Sequence, residues 1–322
     1  MARFGIHVAS FVDPRGEEAL FERIAAAVTA AEDAGFELAT VMDHFHQLPP
    51  YMERTSPMPE AYVLLGALAA RTRRIRLGAL VTGVTYRNPA MLAKMATTLD
   101  MVSEGRAFLG IGASWNEDEY FAYGFGDDLP PVKERLDRLE DALRIARAMF
   151  AEHEASHAGP YHRIDGALNY PRPVQEGGPP ILIGGNGERR LLRLVAQYGD
   201  MCNLLFVPPE ETARKLAVLD AHCAEVGRDP GEIRRTQLVV LVLADTAAEA
   251  AEQRAGIQAT TEMDDEAFDS LFVAGDAESV RRRTQDYLDA GLDTLIYMAP
   301  TMWTPESVAA AGTALRPLMD GG

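Results

Sequence analysis

Basic residues are scarce in this chain. Among 322 residues it carries 31 Lys and Arg against 48 Asp and Glu, a formal net charge of −17. Nucleic-acid binders present the opposite electrostatic footprint, and an anionic membrane surface would repel such a chain, so neither is an expected partner. Lysine occurs only at Lys94, Lys133 and Lys215, each inside a predicted helix, whereas a Schiff-base enzyme of this kind of fold wants a lysine at a strand end. Cysteine is limited to Cys202 and Cys223, spaced as neither a disulfide framework nor a zinc site, which suits reduced thiols in a cytoplasmic protein. No apolar run approaches the ~20 residues that a membrane-spanning helix needs. The strand-like run starting at Phe4 leaves no room before it for a signal peptide. A G-x-S-x-G nucleophile elbow is also missing. What remains is an ordinary globular mixture, 47% hydrophobic and 25% charged, able to bury a large core.

Strand and helix signals alternate along the whole chain. Short apolar runs predict strands at 4–9, 38–42, 75–82, 106–111, 180–183, 201–206, 235–244 and 294–298. Helical spacing predicts helices at 17–34, 59–71, 90–102, 132–150, 188–197, 209–226, 246–258, 278–290 and 305–319. Gly35 stands where the first helix should stop, and Asn88-Pro89 where the third should start. The stretch 153–179 reads as turns and short extended pieces, and the acidic stretch 259–274 receives no element. Eight βα units in strict order predict an α/β chain folded as a (β/α)8 TIM barrel with insertions. An open doubly wound sheet is the competing arrangement. No Pro/Gly/Ser linker divides the chain, so residues 1–322 are expected to form one domain.

In such a barrel the residues just past each strand's carboxyl end face the active site. Four places stand out. After strand two comes Asp43-His44-Phe45-His46, where an Asp–His pair could orient an imidazole for proton transfer. The plainer alternative is that Asp43 caps a turn. After strand three, Leu80-Val81-Thr82-Gly83 suits a bulge pressed against a flat ring, or simply a strand running into a turn. After strand four, Gly110-Ile111-Gly112-Ala113-Ser114-Trp115 begins like a dinucleotide fingerprint but has Trp115 where the third Gly belongs. After strand five, Gly184-Gly185-Asn186-Gly187 opens a helix, so free N–H groups and the helix dipole converge as at a phosphate site.

His153-Glu154-Ala155-Ser156-His157 satisfies the H-E-x-x-H zinc-hydrolase pattern. That chemistry needs both imidazoles on one face of a continuous helix. Here Gly159-Pro160 follows at once and stops a helix, so a zinc hydrolase is the remote alternative and no metal site is assigned.

These segments are also where the chain resembles the bacterial luciferase-like monooxygenase superfamily, and within it the branch of coenzyme F420-dependent oxidoreductases. The shared text includes Asp43-His44-Phe45, Ile75-Arg76-Leu77-Gly78, Tyr86-Arg87-Asn88-Pro89, Ser103-Glu104-Gly105-Arg106, Gly110 to Glu117 and Ile183 to Arg189. The resemblance implies an enzyme that transfers hydride between reduced coenzyme F420 and a small organic substrate. It leaves open an FMN- and oxygen-dependent monooxygenase on the same fold. It implies His44 and Asp43 beside the reacting groups, with a cis peptide near Leu80–Val81 against the ring. Thr82 would stand beside that bulge, Ala113 and Ser114 would line the opposite wall, and Gly184, Gly185, Asn186 and Gly187 would take the phosphate. Pairing through outer helices as a homodimer follows by the same analogy. The family's sugar-phosphate dehydrogenases carry an acid near position 113 and an indole soon after the Asp–His pair. Ala113 and Leu48 stand there instead, which argues against a sugar phosphate as substrate.

Overall fold

The computed structural model describes residues 2–49 and 52–321. Among these, the strands in chain order are β1 (Arg3–Val8), β2 (Leu38–Val41), β3 (Arg76–Ala79), β4 (Thr82–Gly83), β5 (Leu109–Gly112) and β6 (Glu154–Ala158). They continue with β7 (Arg163–Leu168), β8 (Ile181–Gly184), β9 (Met201–Leu205), β10 (Arg234–Leu243), β11 (Phe272–Gly275) and β12 (Thr294–Met298). All except β6 and β7 share one parallel sheet, ordered β3-β2-β1-β12-β10-β9-β8-β5-β4, with β11 attached to β10. Because β3 and β4 are two pieces of one predicted strand, this path returns on itself. The seam closes at a bridge between Leu77 and Ala107, where Leu77 N–H donates to Arg106 O at 3.1 Å and Phe108 N–H to Leu77 O at 3.0 Å. A helix follows each barrel strand, as the alternation in the sequence requires.

Side chains fill the barrel. Leu38, Phe108, Leu182, Met201, Leu238 and Ile296 pack into one buried cluster, so the interior is core and not a pore. Gly78 makes room for Phe108, because a Cβ there would lie 2.6 Å from the ring. A larger apolar cluster between sheet and helices includes Ile6, Val41, Leu65, Val195, Leu219 and Leu295. The helix boundaries follow local chemistry. The Asn88 side chain accepts from Ala90 and Met91 N–H at the start of the helix Pro89–Val102, and the helix Leu20–Ala34 ends at Gly35 with φ 91°.

The predicted third strand is interrupted. β3 ends at Ala79, the Leu80–Val81 peptide is cis, and pairing resumes in β4. Glycines on the neighbouring strands receive this bulge. A Cβ on Gly112 or on Gly184 would lie 2.8 Å from a Val81 methyl carbon, and one on Gly110 would lie 1.9 Å from the Ala79 carbonyl oxygen.

Four stretches differ from the pattern-based expectation, the first being Glu117–Ala122, to which the pattern assigns no element and which forms a short helix capped by Asn116. The stretch 153–179 contains the antiparallel hairpin β6–β7. The stretch 259–274 contains the end of the helix Ala247–Thr261, the helix Asp265–Leu271 and nearly all of β11. β11 is a ninth parallel strand, paired with Val240–Leu243 once β10 has left β9 at Leu238, while β12 stays paired as far as Val240. The predicted helix 188–197 begins only at Leu191, because residues 188–190 form a turn. No helix among the described residues is long and apolar enough to cross a membrane.

Candidate active site

The carboxyl ends of the strands open into one cavity of about 1230 Å³. Asp43, His44, Leu80, Val81, Thr82, Ala113, Ser114, Gly184 and Gly185 all line it, so the four places singled out in the sequence meet at one rim. Asn186 and Gly187 lie on the exposed turn just beyond. A second hollow of about 600 Å³ sits at the opposite end, among Arg3, Arg234 and Asp293. That end carries the strands' amino termini, where parallel barrels do not place their chemistry.

His44 is held by a carboxylate that sequence reading did not single out. Its Nδ1 lies 2.6 Å from Glu119 Oε2, and the Glu119 side chain is fully buried. The same carboxylate accepts from Phe45 N–H at 2.6 Å, His46 N–H at 3.2 Å and the Tyr86 hydroxyl at 2.9 Å. Burial works to raise the Glu119 pKa, but the His44 hydrogen bond, the His44 charge and the other donors outweigh it and hold the carboxyl below its ordinary value. An ionised Glu119 accepts the Nδ1 proton, which leaves His44 Nε2 as the bare, basic nitrogen. Trp115, largely exposed, stands edge-on to His44 at a ring separation of 5.6 Å.

Asp43 does not orient His44. Arg87 grips its two oxygens at 2.6 and 2.9 Å and also reaches Glu60 at 2.5 Å. Both residues lie past the end of β2 and each is committed to a different partner, so sequence adjacency did not place the Asp43 carboxylate against the imidazole. Burial pushes the Asp43 carboxyl above its ordinary value, against the pull of Arg87. Thr82 is likewise committed to structure, its hydroxyl lying 2.7 Å from the Tyr62 hydroxyl. Ser114, at φ 60°, accepts through Oγ from Thr85 N–H and Thr85 Oγ1 at 3.2 and 2.9 Å, while the Ala113 and Ser114 carbonyls accept from Arg135.

The glycine turn divides its work. Gly184 accommodates Val81, and Gly185, at φ 140°, donates its N–H to Asn203 O at 3.0 Å. The Asn186 side chain is spent on Leu205, donating to its carbonyl at 2.8 Å and accepting its N–H at 3.0 Å. The backbone N–H groups of 186–191 have no protein acceptor among the described residues. They are the donors that an anionic group would find there.

His7 is a further polar group of the cavity that sequence reading missed. Burial, then the nearby His44, lowers its pKa to about 3. The unfolded chain takes up a proton on this ring below its ordinary 6.5, while the native state stays neutral down to about 3, so native stability falls as pH drops through that window. At about pH 5 the loss amounts to about 2 kcal/mol. Urea unfolding of a His7→Phe variant is expected to show a correspondingly flatter decline on acidification. A decline as steep as the parent's would mean that the native ring is already protonated.

The zinc-hydrolase alternative lacks its helix. Residues 154–158 form β6, His153 Nδ1 meets the Tyr170 hydroxyl at 2.6 Å, and His157 Nε2 meets Asp141 at 3.0 Å. Strand geometry denies the two imidazoles the shared helical face that the motif requires.

The chain is similar in sequence and in fold to proteins of known activity. The F420-dependent glucose-6-phosphate dehydrogenase of Nocardia farcinica is 31% identical over 300 residues, covering 84% of this chain and 85% of that protein. The corresponding enzyme of Rhodococcus jostii is also 31% identical, covering 84% and 86%. Among solved structures, an F420-dependent secondary alcohol dehydrogenase in complex with an F420-acetone adduct shares the fold with a TM-score of 0.82 at 19% identity, covering 98% of both chains. An EDTA monooxygenase from a Chelativorans species does so with a TM-score of 0.83 at 17% identity, covering 99% of this chain and 93% of that one. The profile of the luciferase-like monooxygenase family matches residues 2–294, and the chain belongs to that family.

Proposed function

We propose that this chain is an oxidoreductase, a single barrel domain that transfers hydride between coenzyme F420 and a small organic substrate at the carboxyl rim. The observation that carries this reading is the shared cavity. The acceptor nitrogen of His44, the Leu80–Val81 bulge and the turn with its free amides open on or beside the same space. A phosphorylated cofactor with a flat ring fits that arrangement, and the two relatives at 31% identity are F420-dependent by name.

When bound, the deazaflavin ring would supply a carbon centre that accepts or returns hydride. The chain's own groups would do the rest. The N–H groups of 186–191, with Gly184, Gly185, Asn186 and Gly187 shaping the turn, would hold the phosphate against the molecule's negative field. Leu80 and Val81 would back the ring, with Ala113 and Ser114 forming the facing wall. His44 Nε2 would take a proton from a substrate hydroxyl during oxidation and return it during reduction, while Glu119 stabilises the imidazolium and fixes its tautomer. Asp43 would support the rim through Arg87 without touching the reacting groups.

Titration with oxidised F420 and with FMN, followed by fluorescence, tests the reading. F420 is expected to bind more tightly, and much tighter FMN binding would favour the monooxygenase alternative. Gly187→Asp probes the phosphate site, since Gly187 has ordinary backbone and a Cβ there would meet only Leu191, at 3.4 Å. Gly185 is the poorer probe, because its φ of 140° strains any side chain. A carboxylate at 187 is expected to weaken F420 binding on the order of 100-fold by like-charge repulsion. Unchanged affinity would move the phosphate elsewhere.

A further inference from the structure

The proposed reaction gives His7, a polar side chain of the cavity, no task. His7 lies on the inward face of β1, in alternation with Gly5, whose missing Cβ would meet Leu38 and Ile296 of the interior cluster. It is 2% exposed and lines the cavity. Its Nδ1 is 2.8 Å from Thr40 Oγ1, and that hydroxyl donates to Ile6 O at 3.2 Å. A hydroxyl has one proton to give, so Thr40 accepts from the ring, and the His7 proton sits on Nδ1. Nε2 is therefore a bare acceptor. It bonds to no protein group among the described residues, is not among the enclosed orphan atoms, and opens on the cavity. Behind it, Trp303 Nε1 donates to His7 O at 3.0 Å and pins the strand.

The remaining wall indicates what the ring faces. Among the described residues no Lys or Arg lines the cavity, and its acidic residues are Asp43, already paired with Arg87, and Asp245. Away from His44 the lining continues over Val240, Val242, Ile257, Met263 and Phe272, under the insertion that β11 joins to the sheet. An anion entering there would lose hydration without gaining a cation. The volume of about 1230 Å³ exceeds the ~300–1,000 Å³ of most small-molecule sites, which leaves room for a second ligand beside a cofactor ring.

We propose that His7 is a substrate-recognising residue whose Nε2 accepts a hydrogen bond from a hydroxyl of an uncharged, largely apolar substrate seated under the insertion. This rests on the reading of the cavity as the place where substrate meets cofactor, and it deepens that reading by naming the substrate's class. Burial keeps the ring neutral at physiological pH, so it selects a donor and offers nothing to a phosphate or carboxylate.

Calorimetric titration of F420-loaded protein carrying His44→Ala, which removes both turnover and the other bare imidazole acceptor of the cavity, with matched ligands tests the proposal. The probes are cyclohexanol against cyclohexanone, menthol against menthone, and 1-phenylethanol against acetophenone and against the anion mandelate. At least one alcohol is expected to bind about tenfold more tightly than its ketone, and 1-phenylethanol about tenfold or more above mandelate. Adding His7→Phe to this background should abolish the alcohol preference while F420 affinity stays within about twofold of the His44→Ala protein. Thr40→Val, which is nearly isosteric and frees the ring to carry its proton on Nε2, should shift preference toward the ketone and serves if His7→Phe does not fold. The proposal is overturned if no pair prefers the alcohol in the His44→Ala protein, if mandelate binds better than the uncharged set, or if the preference survives both variants. Failure of the parent to bind F420 would instead sink the proposed function, and the same pairs titrated into the cofactor-free protein would still decide the role of His7.

Discussion

A Glu119→Gln variant is expected to lose about 10²–10⁴-fold in kcat while its affinity for F420 stays within about twofold. The amide oxygen can still serve Phe45 and His46 N–H, which now hold the carboxylate at 2.6 and 3.2 Å. The amide nitrogen must then face His44 Nδ1, which at 2.6 Å requires an acceptor. A donor there drives the imidazole to its other tautomer, with the proton on Nε2 and the lone pair turned away from the cavity. The ring remains in place but is no longer a base. Nitrogen-15 NMR of the histidines reads the tautomer without any substrate, and kcat with whichever substrate the parent turns over reads the consequence. A bare Nε2 in the variant, or undiminished turnover, would remove Glu119 from its assigned position behind His44.

Arg87→Met is expected to cost about 3–5 kcal/mol of folding stability in urea unfolding. Arg87 is the partner of Asp43 and of Glu60, and its side chain is only 12% exposed. Without it the Asp43 carboxylate is buried with no counter-charge beside a second acid. Since the folded pKa of Asp43 is already raised by burial, the sign of the pH effect is set. The deficit is greatest where Asp43 must stay ionised and shrinks as pH falls through its folded pKa, where the neutral acid tolerates burial. Adding Asp43→Asn should recover much of the loss at neutral pH. Equal deficits at pH 4 and pH 7, or about, would show that the ion pair is not what Arg87 supplies.

The order of the barrel was legible because its signals are local. Apolar runs of strand length alternate with amphipathic helices, and Asn88, Pro89 and Gly35 mark ends by backbone chemistry alone. β11 was not legible, for two reasons. The helix Ala247–Thr261 is predicted only as far as residue 258, and because it buries no residue it has no apolar stripe to carry the reading onward. The helix Asp265–Leu271 also passes into β11 without a Gly or Pro between them. At the site, glycines and the Asp43-His44 pair announced themselves, but the pairing of roles did not. Glu119 lies in the first turn of a short helix capped by Asn116 to which the sequence pattern assigns no element, and an acid there is a common choice near a helix N-terminus. Its contact with His44 spans 75 positions and exists only once strands two and four stand near each other in the closed barrel. His7 was hidden in the same way, because its task depends on a hydroxyl 33 positions away.

The neighbour exchange along β10 has an evolutionary corollary. Up to Val240 the strand is a stave of the barrel, and from there to Leu243 it is a ledge on which β11 and its two preceding helices rest. The side chains proposed to handle the proton follow the staves, whereas the apolar roof under which the proposed substrate would sit hangs from the ledge. Selection can therefore re-cut the roof residue by residue, trading one guest for another, with the proton-handling residues below left untouched.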